Sequence, residues 1–256
     1  MISKLSSKEF SLLQHFIESK CGINIGEDKA YLIESKLSFL LAESGLSSFE
    51  ELYLKICNDR NQGMTEDIID AITINETFWF RDKTPWNILQ DLLLPTYIDE
   101  IRSGKRTKVR IWSTACSYGQ EPYSIAMCVD HYLTRLDIVD VNLSHFEIIA
   151  TDISKTVLQM ASFARYDSVS ISRGLDDGYK AKYFINEGRV WTLIEKIKNA
   201  VSFKYFNLQN DYVLLGKFDI IFCRNVLIYF GERLKKEVIN KIAAGLMPNG
   251  LFIIGS

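Results

Sequence analysis

The sequence has no surplus of positive charge. Across 256 residues, 30 Lys and Arg face 32 Asp and Glu, for a net charge of −2. A protein that grips phosphate backbones carries a basic surplus, so a nucleic-acid substrate is disfavoured. No apolar run approaches the ~20 residues that cross a bilayer. The first residues, Met1-Ile2-Ser3-Lys4-Leu5-Ser6, lack the apolar stretch of a signal peptide. No direct membrane insertion is expected, and the reading is cytoplasmic. The five cysteines (Cys21, Cys57, Cys116, Cys128, Cys223) form no CxxC pair, which points to reduced, mostly buried thiols. Three scattered histidines (His15, His131, His145) make no Cys/His cluster, so no metal is expected. There is no GxGxxG either. The stretch Ser113-Thr114-Ala115-Cys116-Ser117-Tyr118-Gly119-Gln120-Glu121-Pro122-Tyr123 holds one glycine, which disfavours a nicotinamide dehydrogenase.

What is present is an ordinary globular composition, 47% apolar and 24% charged. The length suits one large domain, or one domain with a small companion. Residues 1–75 read as short helices. Ser6 and Glu9 have capping-box spacing, as do Ser47 and Glu50. The first helix carries Phe10, Leu13, Phe16 and Ile17 and stops at Gly22. The second carries Tyr31, Leu32, Leu37, Leu40 and Leu41 and stops near Gly45, and a third follows Ser48 with Leu52 and Ile56 inside. Residues 1–70 hold 7 basic and 12 acidic side chains, so this part is acidic.

From Thr84-Pro85, a helix start, a helix runs toward Ile101, and Pro95 is expected to kink it. Beyond Gly104, strands and helices alternate. Strands are expected at 109–112, 146–150, 201–206, 218–222 and 251–254, the last after a turn at Pro248-Asn249-Gly250. Helices are expected at 120–133, from 154, and at 232–246. The alternation argues for an α/β fold with a doubly wound, mostly parallel sheet in residues 76–256. Residues from about 165 to 200 break the pattern and read as a small antiparallel insertion, with a hairpin around 189–194.

Ligands of such sheets bind at the carboxyl ends of the strands. Glu121 sits at a helix entrance, either as a first-turn carboxylate favoured by the helix dipole or facing an amino group of a ligand. Asp152 ends the second strand, either holding ribose hydroxyls or capping a helix, a role that Ser154 also suits. In Phe206-Asn207-Leu208-Gln209, a polar residue after a strand is placed to meet an adenine edge through its backbone and amide. Cys223-Arg224-Asn225-Val226-Leu227-Ile228-Tyr229-Phe230 closes an apolar strand with a polar pair that needs partners. It lacks the Pro-Pro of nucleic-acid amino-group methyltransferases. Upstream, Thr73-Ile74-Asn75-Glu76-Thr77-Phe78-Trp79-Phe80-Arg81-Asp82 sets Asn75, Thr77 and Arg81 among aromatics. It reads as an inter-domain seam or a lined pocket.

Together these segments resemble the chemotaxis receptor glutamate methyltransferases, the CheR-type family. The matching stretches are residues 74–82, residues 110–117 with Gly119 and Glu121-Pro122-Tyr123-Ser124-Ile125-Ala126, Ala150-Thr151-Asp152-Ile153-Ser154, and residues 218–230. The resemblance implies an N-terminal all-α domain before a class I methyltransferase-like domain that uses S-adenosylmethionine and releases S-adenosylhomocysteine. It implies cofactor contacts at Asn75, Thr77, Arg81, Glu121, Asp152, Asn207, Leu208, Arg224 and Asn225. Arg81 and Tyr229 would act at the reacting end. The implied substrate is a glutamate in the cytoplasmic domain of methyl-accepting chemoreceptors. The alternative is a non-catalytic S-adenosylmethionine-binding signalling module. Gln120 and Tyr118 depart from the Glu and Thr usual in the family, and the acidic N-terminal part departs from its usual basic character. The resemblance also implies two more strands after residue 254. A sheet ending there is expected either to belong to a longer protein or to pair through that edge.

Overall fold

The computed structural model describes residues 4–59 and 63–255. Four helices open the chain: α1 (Ser7–Cys21), α2 (Ala30–Glu43), α3 (Phe49–Cys57) and α4 (Gly63–Ile72). The Ser6–Glu9 capping box is present, and α1 ends at Gly22 in the left-handed region. The second box lies one residue later than expected, at Ser48 and Glu51, with Ser47 also donating to the Glu51 carboxylate. The stripe of α2 is also rotated. Ile33, Leu37 and Leu41 are buried at i, i+4, i+8, while Tyr31 is 62% exposed. Helix α4 was not foreseen. Its Ile68, Ile69 and Ile72 complete a core with Leu13, Leu37 and Leu52.

Then come α5 (Thr84–Ile88), a π-helical turn (Leu89–Leu93) and α6 (Leu94–Arg102). Pro95 lacks an N–H, and its ring would collide with the carbonyl four residues back. The chain widens by one residue ahead of it, with the Leu94 N–H reaching the Leu89 carbonyl. The remaining chain supplies β1 (Val109–Ser113), α7 (Gln120–Arg135), β2 (Phe146–Asp152), α8 (Lys155–Phe163), β3 (Arg165–Asp167), α9 (Ser168–Ser172), α10 (Asp177–Tyr183), β4 (Phe184–Asn186), β5 (Val190–Leu193), α11 (Glu195–Lys198), β6 (Val201–Tyr205), β7 (Phe218–Cys223), α12 (Glu232–Ala244) and β8 (Leu246–Ile254).

The main sheet has the order β6-β2-β1-β7-β8 and its pairings are parallel. The period of two divides its side chains between two cores. Ile111, Ile148, Ile220 and Phe222 join Leu89, Ile125 and Val129 on one face. Trp112, Ile149, Ile221 and Cys223 join Val238 and Ile242 of α12 on the other. The order reverses at β1, which opens a crevice at the carboxyl ends of β1, β2 and β7.

The insertion is a three-stranded antiparallel sheet, β3-β5-β4, one strand more than the expected hairpin. Asp130 of α7 fastens it. The buried carboxylate accepts from Tyr183 at 2.9 Å and pairs with Lys182 at 3.4 Å and Lys196 at 2.5 Å. The expected turn at Pro248-Asn249-Gly250 instead lies inside β8, where the register shifts opposite Phe218 and Ile220. Of the run 251–254, Ile253 is buried and Ile254 is 55% exposed. This strand is only partly covered because β8 is the edge of the described sheet.

Candidate functional site: a cavity between the helical body and the sheet

One cavity gathers all ten residues singled out in the sequence: Asn75, Thr77, Arg81, Glu121, Asp152, Asn207, Leu208, Arg224, Asn225 and Tyr229. The segment after α4 crosses over the carboxyl ends of the strands and forms one wall. Loops after β1, β2, β6 and β7 form the others.

Arg224, at the end of β7, has a side chain only 2% exposed. Its guanidinium donates to Glu121 at 2.8 Å, to Asp82 at 2.6 Å and to the Arg81 carbonyl at 2.6 Å. Glu121 also accepts from the Ser113 hydroxyl at 2.7 Å. Arg224, the charged member of the pair that closes β7, thus finds partners, as a buried charge must. The Arg224 Nε is left buried without a partner among the described residues.

Asp152, 6% exposed, ends β2. It accepts from the backbone N–H of Ser117 at 2.9 Å and of Ser154 at 3.0 Å. The cap of α8 is Ser154, whose hydroxyl accepts from Val157, so the capping alternative for Asp152 falls. Burial pushes its carboxyl above the usual aspartate range, against the opposing pull of the Ser154, Ser117 and Ile153 N–H groups.

Asn75 donates to the Thr73 hydroxyl at 3.3 Å, and its carbonyl accepts from the Ser117 hydroxyl at 2.8 Å. Arg81 lies over the Phe78 ring at 5.3 Å and donates to the Glu76 carbonyl at 3.3 Å. The same wall is gripped from the insertion. Arg173 pairs with Glu76 at 2.8 Å, and Gly174 (φ 85) lets the chain pass so close that a Cβ there would stand 2.2 Å from the Trp79 carbonyl. Asn207 departs from its sequence reading. Its amide is committed internally, with Nδ2 donating to the Lys20 carbonyl at 2.8 Å and Oδ1 accepting from the Gln209 N–H at 2.9 Å. Tyr229 is half-buried, and its carbonyl accepts from the Asn24 N–H at 2.8 Å.

The backbone is strained around this cavity. Phe80, Asp82, Ser117 and Asn225 have φ between 48° and 58°, values that L-residues adopt sparingly and that cluster at functional sites. Sequence reasoning missed Asp82, which grips Arg224, and Ser117, which ties Asn75 to Asp152. Both lay inside matched motifs, which was their only signal. It also missed Cys21 and Ile23 from the end of α1, which line the cavity and had no local signal at all.

The chemistry of the wall fits S-adenosylmethionine. That molecule carries a sulfonium, an ammonium, a carboxylate and a ribose diol. The wall offers three carboxylates, Glu76, Glu121 and Asp152, two guanidinium groups, Arg81 and Arg224, and two buried polar atoms without a partner among the described residues, Arg224 Nε and Thr114 Oγ1. Among the described residues, no group of three or more His, Cys, Asp or Glu could hold a metal, and no helix is long and apolar enough to cross a membrane.

Comparison with known proteins agrees with this geometry. The family model described as "CheR methyltransferase, SAM binding domain" matches residues 75–256, and "CheR methyltransferase, all-alpha domain" matches residues 8–73. A chemotaxis protein methyltransferase of Pseudomonas putida is 40% identical over 249 residues, covering 97% of this chain and 89% of that protein. One of Vibrio anguillarum is 41% identical over 254 residues, covering 98% and 89%. A looser likeness joins it to the solved structure of PKMT2 from Rickettsia typhi, with a TM-score of 0.40, 16% identity, and coverage of 70% of this chain and 26% of that one. The chain belongs to the CheR methyltransferase family, with the family's all-α domain ahead of its S-adenosylmethionine-binding domain.

Proposed function

We propose that this protein methylates glutamate side chains in the cytoplasmic domain of chemoreceptors, drawing the methyl group from S-adenosylmethionine. The observation that carries the reading is the convergence of ten residues, spread from Asn75 to Tyr229, on one cavity. The names of the relatives, chemotaxis protein methyltransferases, support the receptor as the substrate and the cytoplasm as the compartment.

The cofactor, when bound, supplies a methyl group activated by its sulfonium. The residues here have the complementary tasks. Asp152 is placed to accept from ribose hydroxyls, and Glu121 to face the amino group of the methionine moiety. Arg224 holds Glu121 in place and has a spare donor for a carboxylate. Asn207 and Leu208 wall the adenine end. A glutamate side chain has an ordinary pKa of about 4.3 and is an anionic nucleophile at neutral pH, so no general base is needed. The remaining work is alignment and control of solvation. Tyr229 and Arg81 stand at the reacting end, with Arg81 suited to hold the incoming carboxylate.

The experiment incubates the protein with labelled S-adenosylmethionine and chemoreceptor cytoplasmic fragments. Base-labile methyl esters on glutamates are expected. Cofactor binding by calorimetry without esters on any receptor of the same organism would leave a non-catalytic binding module. No binding at all would overturn both readings.

A further inference from the structure

The end of α1 reaches two walls of the cavity that come from different strands. After β6, the Lys20 carbonyl, one of the last in its helix and without an intrahelical partner, accepts from Asn207 Nδ2 at 2.8 Å. The Glu18 carbonyl accepts from Gln209 Nε2 at 3.2 Å. After β7, Ile23 pairs antiparallel with Phe230, and the Asn24 N–H donates to the Tyr229 carbonyl at 2.8 Å. Gly22, at φ 78, makes the reversal between these two contacts. Cys21 and Ile23 themselves line the cavity.

Gln209 is the hub on the β6 side. Its N–H donates to Asn207 Oδ1 at 2.9 Å, and its Oε1 accepts from Asn207 Nδ2 at 3.3 Å. Its carbonyl accepts from Lys241 of α12 at 2.7 Å. Gln209 does not line the cavity, yet it holds both ends of the Asn207 amide and ties the loop to helices from both bodies.

We infer that Gln209 is a positioning residue for the cofactor: by fastening Asn207 to the end of α1, it sets the Asn207-Leu208 wall and makes the N-terminal helices a built part of the pocket. The inference rests on reading the cavity as the cofactor site. A wall ordered before binding spares the ligand the cost of ordering it. Loosening that wall therefore weakens affinity and leaves the methyl-transfer step alone.

The test titrates the protein and its Gln209→Leu and Gln209→Glu variants with S-adenosylhomocysteine and with 5′-methylthioadenosine, which keeps the adenosine end. Leucine removes both side-chain bonds. Glutamate keeps an acceptor for Asn207 Nδ2 but has no N–H for the Glu18 carbonyl. For Gln209→Leu, affinity for both probes falls about 5- to 10-fold, the worth of one ordinary hydrogen bond, with Gln209→Glu in between. KM for the cofactor rises in proportion, and kcat at saturating cofactor is unchanged. Unchanged affinity in a folded Gln209→Leu variant, with or without a lower melting temperature, overturns the inference. So does a loss of kcat with affinity intact. If Gln209→Leu does not fold, the near-isosteric Gln209→Glu decides by the same affinities. If the unsubstituted protein binds neither probe, the reading of the cavity fails first, and that result is distinct from the others.

Discussion

Arg224 and Glu121 grip each other at 2.8 Å across the carboxyl end of the sheet, although 103 residues separate them in the chain. One closes β7 and the other opens α7, so the pair ties the two elements flanking the crevice. Removing one member of a buried pair leaves the other uncompensated. Arg224→Ala is expected to cost about 3–5 kcal/mol of stability. Glu121→Gln should cost less, about 1–2 kcal/mol, because Asp82 and the Arg81 carbonyl still hold the guanidinium. Urea denaturation of both variants checks the order, and calorimetry should find cofactor affinity lowered in both.

Asp152 carries a pH dependence. Its carboxyl is raised by burial above the ordinary 3.8, so it takes up a proton earlier on acidification than an exposed aspartate does. Only the ionised form accepts from two hydroxyls. Affinity for S-adenosylhomocysteine should be flat at neutral pH and fall as pH drops through the raised value. In Asp152→Asn it should be low and free of that step. The stability of the ligand-free protein runs the other way. A raised pKa favours the protonated fold, so this contribution is present below 3.8 and lost as pH rises through the folded value. Titrations at several pH values, with parallel melts, separate the two trends.

Tyr229→Phe keeps the backbone carbonyl that receives the Asn24 N–H, so the loop should stay in place. If the hydroxyl acts mainly in the transition state, kcat falls by about 10-fold with cofactor affinity unchanged. Steady-state kinetics with a receptor fragment gives the split. An equal rise in KM for the cofactor with kcat intact would assign the hydroxyl to ground-state binding.

The thiols should react unequally. Burial pushes Cys21 up to about 11 and both Cys128 and Cys223 up to about 12, and it raises Cys116 well above the ordinary range. The thiolate is the reactive form. Cys57 is exposed. A thiol reagent at neutral pH should label one cysteine in the native protein and all five after denaturation. Cys57→Ser should abolish native labelling, as intact-mass measurement would show.

The elements that sequence reading placed well are those whose signals are local. The Ser6–Glu9 box and the turn at Gly22 mark α1 within a few residues of each end. The alternation of apolar strands with helices pointed to a doubly wound, mostly parallel sheet, because consecutive parallel strands need a crossover that a helix supplies. The misplaced features depend on neighbours. The stripe of α2 centres on Ile33, Leu37 and Leu41 because α4, unread in the sequence, supplies the opposing isoleucines. The third strand of the insertion, β3, pairs with β5 across more than twenty residues.

The site divides in the same way. The sequence by itself determined which residues end the strands, and strand ends are where a doubly wound sheet binds its ligand. Asp152 and Arg224 were legible for that reason, and Glu121 as a first-turn carboxylate of α7. Only the tertiary structure decided what each holds. It put Arg224 between Glu121 and Asp82, gave the α8 cap to Ser154, and turned the Asn207 amide toward α1. It also brought the end of α1 to the cavity wall beside residues 206–208 and 224–230. Caps and periodicity act over one or two turns of chain. Contacts between residues 20 and 207, or 24 and 229, exist only because two hydrophobic cores close against each other and carry those groups together.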